Sequence, residues 1–250
     1  VKHNPYPPEL TQAVRQYIEE TKKNFPQNRL IAAFDADGTL WPVDISENFF
    51  HYQIKNNLIQ NLPQHPWDFY LDLKEHNPIS AYYWLAQICQ GALLDQVRQW
   101  ADEAIKQDPA FTVFKPQAEL IKMLISYDVE VFIVTASVKW AVEAAASYLK
   151  INHSNVLGIE TLITNDQKIT IHPKTPPTYK SGKLNALLTH TESIKPFLCC
   201  GNTLGDYELL EGATQFKIAV QSAPPSDPLY QAEQSLFAIA SEKKWITHIF

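Results

Sequence analysis

The sequence predicts an α/β fold: a Rossmann-like parallel sheet core with helices on both faces, carrying an inserted α-helical cap domain. Three observations predict it. Short, mostly apolar runs at residues 30–34, 129–135, 196–200 and 216–220 read as strands buried on both faces. From Pro116 onward, helical patterns alternate with these runs, as the units of a parallel sheet do. Between the first and second runs, residues 41–111 are rich in aromatics, Asn, Gln and Pro and contain no strand-like run.

Taken in order, residues 9–23 place Leu10, Ala13, Val14, Tyr17 and Ile18 on one helical face. The run Leu30 to Phe34 is the first strand. In the insert, Leu93, Leu94, Val97, Trp100, Ala101, Ala104 and Ile105 mark a second helical face. Leu120, Ile121, Leu124 and Ile125 mark a helix that leads into VEVFIVT. The next helix carries Trp140, Ala141, Ala144, Ala145, Tyr148 and Leu149. Residues 156–171 alternate around Asn165-Asp166 and predict a hairpin. A helix near 182–190, the strand PFLCC, a short helix near 204–211 and the strand FKIAV complete the pattern. These readings divide the chain into a core of residues 1–43 and 112–250 and a cap of residues 44–111. There is no internal repeat and no low-complexity segment.

Composition narrows the function. The 250 residues carry 21 Lys plus Arg against 27 Asp plus Glu, a formal charge of -6. No basic run offers a nucleic-acid footprint. No apolar stretch approaches the roughly 20 residues of a membrane helix. The start, VKHNPYPPEL, lacks the layout of a secretory signal, though a processed start would look the same. The three cysteines, Cys89, Cys199 and Cys200, form no disulfide framework and read as buried thiols. Together these favour the cytoplasm, with export left open. Only seven residues are glycine, and four of them, Gly38, Gly182, Gly201 and Gly205, fall in the loops described next.

FDADGTL, Phe34 to Leu40, directly follows the first strand. It sets Asp35 and Asp37 at a strand's carboxyl end, where ligand sites of open α/β sheets lie. Turn chemistry alone also selects Asp-Gly, but it does not call for the second acid. Thr135 closes VEVFIVT and precedes Ala136-Ser137; a helix N-cap is its alternative role. Lys183 follows Ser181-Gly182 at a helix start; a solvated surface lysine is its alternative. Gly201-Asn202-Thr203-Leu204-Gly205-Asp206 follows PFLCC and also reads as a turn ending in an N-cap aspartate.

In that order, these pieces resemble the haloacid dehalogenase superfamily of phosphatases, whose motifs are D-x-D-x-T, a strand-ending Ser or Thr, a Lys, and a G-D-x-x-x-D-type loop. The likeness is to the phosphoserine phosphatase branch, especially its phosphorylcholine phosphatase-like members, and the insert falls where that family carries a helical cap. The resemblance implies that Asp35 attacks phosphorus to give an aspartyl-phosphate, and that Asp37 protonates the leaving oxygen and then activates water. Lys183 and Thr135 would hold the phosphoryl group, with Gly38, Thr39 and Ser137 beside it. It implies a Mg²⁺ ion among Asp35, the Asp37 main-chain carbonyl, Asn202 and Asp206. Asn202 departs from the family's Gly-Asp and removes one negative charge.

Asp44 lies nine residues after Asp35, and Glu47 follows three later. In the phosphoserine phosphatase branch an acid at the first spacing meets the substrate's ammonium group. Carried over, Asp44 and Glu47 select a small amine-bearing phosphomonoester, phosphoserine- or phosphocholine-like. Trp41, Trp67, Phe69, Tyr70, Tyr82, Tyr83 and Trp84 offer ring faces for a quaternary ammonium, or equally a cap core. Two other readings stay open: a phosphoprotein phosphatase of the same superfamily, and a non-catalytic phosphate-binding or phospho-receiver protein. No oligomeric state follows from the sequence.

Overall fold

Four residues without a polar side chain, Ile31–Phe34, form β1, and all four are buried. Buried on both sides, such a strand must be central. In the computed structural model, which describes residues 3–250, it is. The expected core's first two positions lie outside the described residues. β1 pairs in parallel with β2 (Glu130–Val138) on one side and β6 (Leu198–Gly201) on the other. With β3 (Val156–Ile159), β7 (Phe216–Gln221) and β8 (Ile246–Ile249), they make a six-stranded parallel sheet in the order β3-β2-β1-β6-β7-β8. Successive side chains go to opposite faces. Ala32, Phe34, Ile133 and Cys200 join one buried cluster, and Ile31, Ala33, Phe132 and Cys199 join the other. The first face meets α1 (Pro8–Asn24), α6 (Lys115–Ser126) and α7 (Lys139–Ala146); the second meets α8 (Ser181–His190), α9 (Tyr207–Gly212) and α10 (Leu229–Glu242).

The insert carries four helices: α2 (Ile45–Lys55), α3 (Pro66–His76), α4 (Pro78–Gln87) and α5 (Leu94–Gln107). Prolines open α3 and α4 at a position where a missing N–H removes no intrahelical bond. Cys89, Cys199 and Cys200 are buried free thiols. No described helix is long and apolar enough to cross a membrane.

The structure settles three points that the sequence left wrong or open. Residues 156–159 do not belong to the hairpin; they pair with β2 as the sheet's edge strand. The hairpin is β4 (Thr161–Ile163) with β5 (Ile169–Pro173), and it lies beside the insert: Gly91 N–H bonds the Ile169 carbonyl at 2.9 Å, and the Tyr83 hydroxyl bonds that of Lys174 at 2.7 Å. Thr135 is no helix N-cap, because β2 runs on to Val138 and the helix starts at Lys139. Finally, α10 and β8 were not anticipated. Their polar positions hide a half-buried pattern, and of the edge strand β8 only His248 is buried.

Candidate active site

The sheet order places the site. Chain order departs from β1 toward β2 on one side and toward β6 on the other, and ligands bind where strand order reverses. The loops after β1 and β6, together with the C-terminal part of β2, line a cavity of about 570 Å³ there. Asp35, Asp37, Gly38, Thr135, Lys183 and Asn202 all border it.

Gly38 lets the β1 loop turn. Its φ is +76°, and a Cβ would stand 2.0 Å from Asn202 Nδ2, so no other residue fits without displacing that side chain. Asp35, ahead of that turn, directly continues β1, and its main-chain N–H bonds the Cys200 carbonyl of β6 at 2.9 Å. Its Oδ1 accepts from Lys183 Nζ at 2.5 Å and its Oδ2 from Thr39 Oγ1 at 3.1 Å. Lys183 is 5% exposed, which excludes the solvated-lysine alternative, and it also donates to Asp206 Oδ1. Burial first, then the charge of Asp206, raises the Asp35 carboxyl to about 6 despite Lys183. The two carboxylates raise the Lys183 ammonium against the opposing effect of burial.

Asp37, from the same loop, has different company. Its Oδ1 accepts from Trp41 Nε1 at 2.7 Å and Ile45 N–H at 3.2 Å, and its Oδ2 from Ser137 Oγ at 2.5 Å. No ion pair reaches it among the described residues. Burial, with the charge of Asp44 beside it, pushes its carboxyl up to about 8. Ser137, expected against substrate, thus spends its hydroxyl on Asp37. Thr39, also expected there, is fully buried behind Asp35. Thr135 Oγ1 accepts from Ser137 N–H at 3.0 Å, so its own proton is directed elsewhere.

The cap closes the cavity with Asp44, Glu47, Tyr70, Lys74 and Tyr82. Asp44 caps α2, accepting from Glu47 N–H at 2.9 Å. Burial and the charge of Glu47 raise its carboxyl to about 6. Glu47 is not free to meet a substrate cation: Lys74 Nζ lies 2.5 Å from its Oε1, and Tyr70 Oη donates to the same oxygen at 2.9 Å. That Lys74 ammonium also stands 5.6 and 5.9 Å from the Tyr70 and Tyr82 ring centres. Of the seven aromatics singled out, only Tyr70 and Tyr82 line the cavity. Trp67 and Trp84 pack around Phe50, and Phe69 is 43% exposed.

The donors suit a small hard cation. They are carboxylate and amide oxygens, and two acids face the single ammonium of Lys183. Asp35 and Asn202 Oδ1, with the Asp37 main-chain carbonyl, would hold it. Asp206, expected as a ligand, has other work: Oδ1 takes Lys183, and Oδ2 takes the N–H groups of Asn202 and Thr203, both at 3.1 Å. It latches the loop and balances the lysine. Among the described residues no group of three Asp, Glu, His or Cys side chains forms a metal site. The sequence reading missed Lys74 and Tyr179, which line the cavity, and Ser222 and Glu233, which bond Gly38 and Asn202 from behind; the aromatic content of the cap hinted at its wall, and nothing local signalled the others.

A family model described as haloacid dehalogenase-like hydrolase matches residues 32–211. A phosphorylcholine phosphatase of Pseudomonas aeruginosa is 24% identical over 236 residues, covering 69% of this chain and 68% of that protein. Among solved structures, a conserved protein of unknown function from Anaerococcus prevotii superposes with a TM-score of 0.75 at 14% identity, over 99% of this chain and 93% of that one. A phosphoserine phosphatase held as an analogue of its phospho-aspartyl intermediate gives a TM-score of 0.51 at 15% identity, over 89% and 94% of the two chains. At such identities the structural likeness is one of fold.

Proposed function

We propose, starting from the fact that this chain belongs to the haloacid dehalogenase-like hydrolase family, that it hydrolyses a small amine-bearing phosphomonoester through an aspartyl-phosphate on Asp35. The chain is a phosphoric monoester hydrolase; what is proposed is its intermediate, its metal and its substrate. The observation that carries the reading is the split between two acids of one loop. Asp35 is ion-paired to a buried lysine, and Asp37 is held only by hydrogen bonds. Acids pushed into different environments divide the labour of nucleophile and proton donor.

Lys183 and Thr135 hold the phosphoryl oxygens while Asp35 attacks phosphorus and the ester bond breaks. Asp37 gives its proton to the departing alkoxide and takes one from the water that cleaves the acyl-phosphate. A Mg²⁺ ion bound by Asp35, Asn202 and the Asp37 carbonyl would neutralise charge between nucleophile and phosphate. The cap walls the cavity, which favours a small substrate over a protein. Asp44 supports the amine: Lys74 pairs directly with Glu47 and acts on Asp44 only from farther off, so among the described residues no ion pair closes on the Asp44 carboxylate.

Phosphate release tests the reading. Chelation of divalent metal should abolish it and added Mg²⁺ restore it. Metal-dependent phosphorylation of the protein without release would instead favour a phospho-receiver. Asp44→Asn tests the substrate class, because Asn caps a helix as well as Asp and only the charge is lost. The preference for amine-bearing over neutral phosphate esters should fall about tenfold, the scale of one charge-assisted contact. An unchanged ratio of kcat/KM values across such a panel removes Asp44 from substrate recognition.

A further inference from the structure

Glu233 lies on α10, fully buried, and no Lys, Arg or His nitrogen pairs with it among the described residues. Its carboxyl is met by three N–H donors and by the Ser222 hydroxyl, whose single proton it shares with the Gly38 carbonyl. Oε1 accepts from Asn202 Nδ2 at 3.1 Å and from Ser222 Oγ at 3.2 Å. Oε2 accepts from the main-chain N–H groups of Ser222 at 3.0 Å and Ala223 at 2.9 Å. Burying an acid without a cation is costly, and here it occurs directly behind the loop after β6.

The arrangement fixes which way Asn202 points. The oxygens of Glu233 face only donors, so the Asn202 amide must turn its nitrogen toward them. Its Oδ1 is thereby aimed the other way, 3.3 Å from Thr39 Oγ1, whose single proton it shares with Asp35 Oδ2. The close approach of Gly38 to Nδ2, and the bond from Ser222 Oγ to the Gly38 carbonyl at 3.1 Å, leave the amide little room to flip.

We infer that Glu233 is a positioning residue: it orients the Asn202 carbonyl toward the cation held by Asp35 and carries, behind it, the negative charge that Asn202 lacks. The inference rests on the phosphatase reading in one respect, that Asn202 is a ligand of that cation. An aspartate at 202 would put a carboxylate oxygen about where Nδ2 now stands, against Glu233 with no proton between them. Asn202 and Glu233 are therefore a matched pair.

Mg²⁺ titration of the metal-free protein, by calorimetry and by the shift of Tm with Mg²⁺, tests this without substrate or turnover. Asn202→Asp, Glu233→Gln and the double variant form the cycle. Asn202→Asp alone should bind Mg²⁺ no more tightly than the native chain, although it adds a charge to the site. The double variant should bind at least tenfold more tightly than Asn202→Asp, and Glu233→Gln alone more weakly than the native chain. Tenfold tighter binding by Asn202→Asp with Glu233 in place overturns the inference, and that result does not require Glu233→Gln to fold. Equal Mg²⁺ affinity of the double variant and Asn202→Asp overturns it as well. If the native chain itself binds no Mg²⁺, the metal-dependent reading fails instead, which separates the two.

Discussion

Asp35→Asn should release no measurable phosphate from any ester, with kcat reduced on the order of 10⁶, the scale seen when a catalytic nucleophile is removed. The amide has no lone pair of comparable nucleophilicity, and no neighbouring acid can replace it: Asp206 is latched by Lys183 and two main-chain N–H groups, and Asp37 is held by Trp41, Ile45 and Ser137. The fold should survive. Asn keeps an oxygen for Lys183 or Thr39, and Lys183 retains Asp206 as its counter-charge. Removing one of two carboxylates that share an ammonium also relieves the burial and repulsion that push the Asp35 carboxyl up to about 6. A carboxyl with a raised folded value disfavours the folded state above its unfolded range, so relief is complete above about pH 6. At neutral pH, without metal, the Tm of Asp35→Asn should equal or exceed that of the native chain. Phosphate release near the native rate by this variant would remove Asp35 as nucleophile. A Tm many degrees lower would show that its carboxylate, not Asp206, balances the buried lysine.

The readable part of the site was the part contiguous in sequence. FDADGTL couples a buried strand to its own turn, so Asp35, Asp37 and Gly38 needed no tertiary information. Lys183 and Asn202 were legible through order: each stands just beyond a strand or at a helix start. The sequence could not say that Thr39 would be buried behind Asp35 or that Ser137 would spend its hydroxyl on Asp37, because both depend on how β1 and β2 sit side by side. Asp206 was assigned to metal by the family resemblance, yet the loop's own N–H groups claim one of its oxygens.

Glu233 and Lys74 were illegible for a related reason. An acid or a lysine in a helix of mixed polarity looks like a solvated position until another element covers it. Glu233 is covered by the loops after β1, β6 and β7, and Lys74 by Glu47 and two tyrosines. The hairpin boundary slipped because residues 156–159 alternate no differently from those that follow; pairing with β2 decides their place.

Asp37→Asn should spare the architecture and lose the proton chemistry. Its remaining oxygen can still accept from Trp41 Nε1 and Ile45 N–H, and its new NH₂ can donate to the Ser137 oxygen, so each contact of the native acid has a substitute. With alkyl phosphate esters, kcat should fall by about 10²–10⁴, the usual contribution of a positioned acid or base. An activated aryl phosphate separates the two tasks of Asp37. Its leaving group departs as a stable anion and needs no proton, so attack by Asp35 proceeds. Hydrolysis of the aspartyl-phosphate still needs a base to activate water and becomes slow. Rapid-mixing experiments with Asp37→Asn should therefore show a burst of about one equivalent of aryl alcohol, then slow turnover, with phosphate bound covalently to the protein. Asp35→Asn should show no burst at all. Native rates for Asp37→Asn on both ester types would leave Asp37 without a chemical role, and the proton donor and the base would have to be sought elsewhere in the cavity.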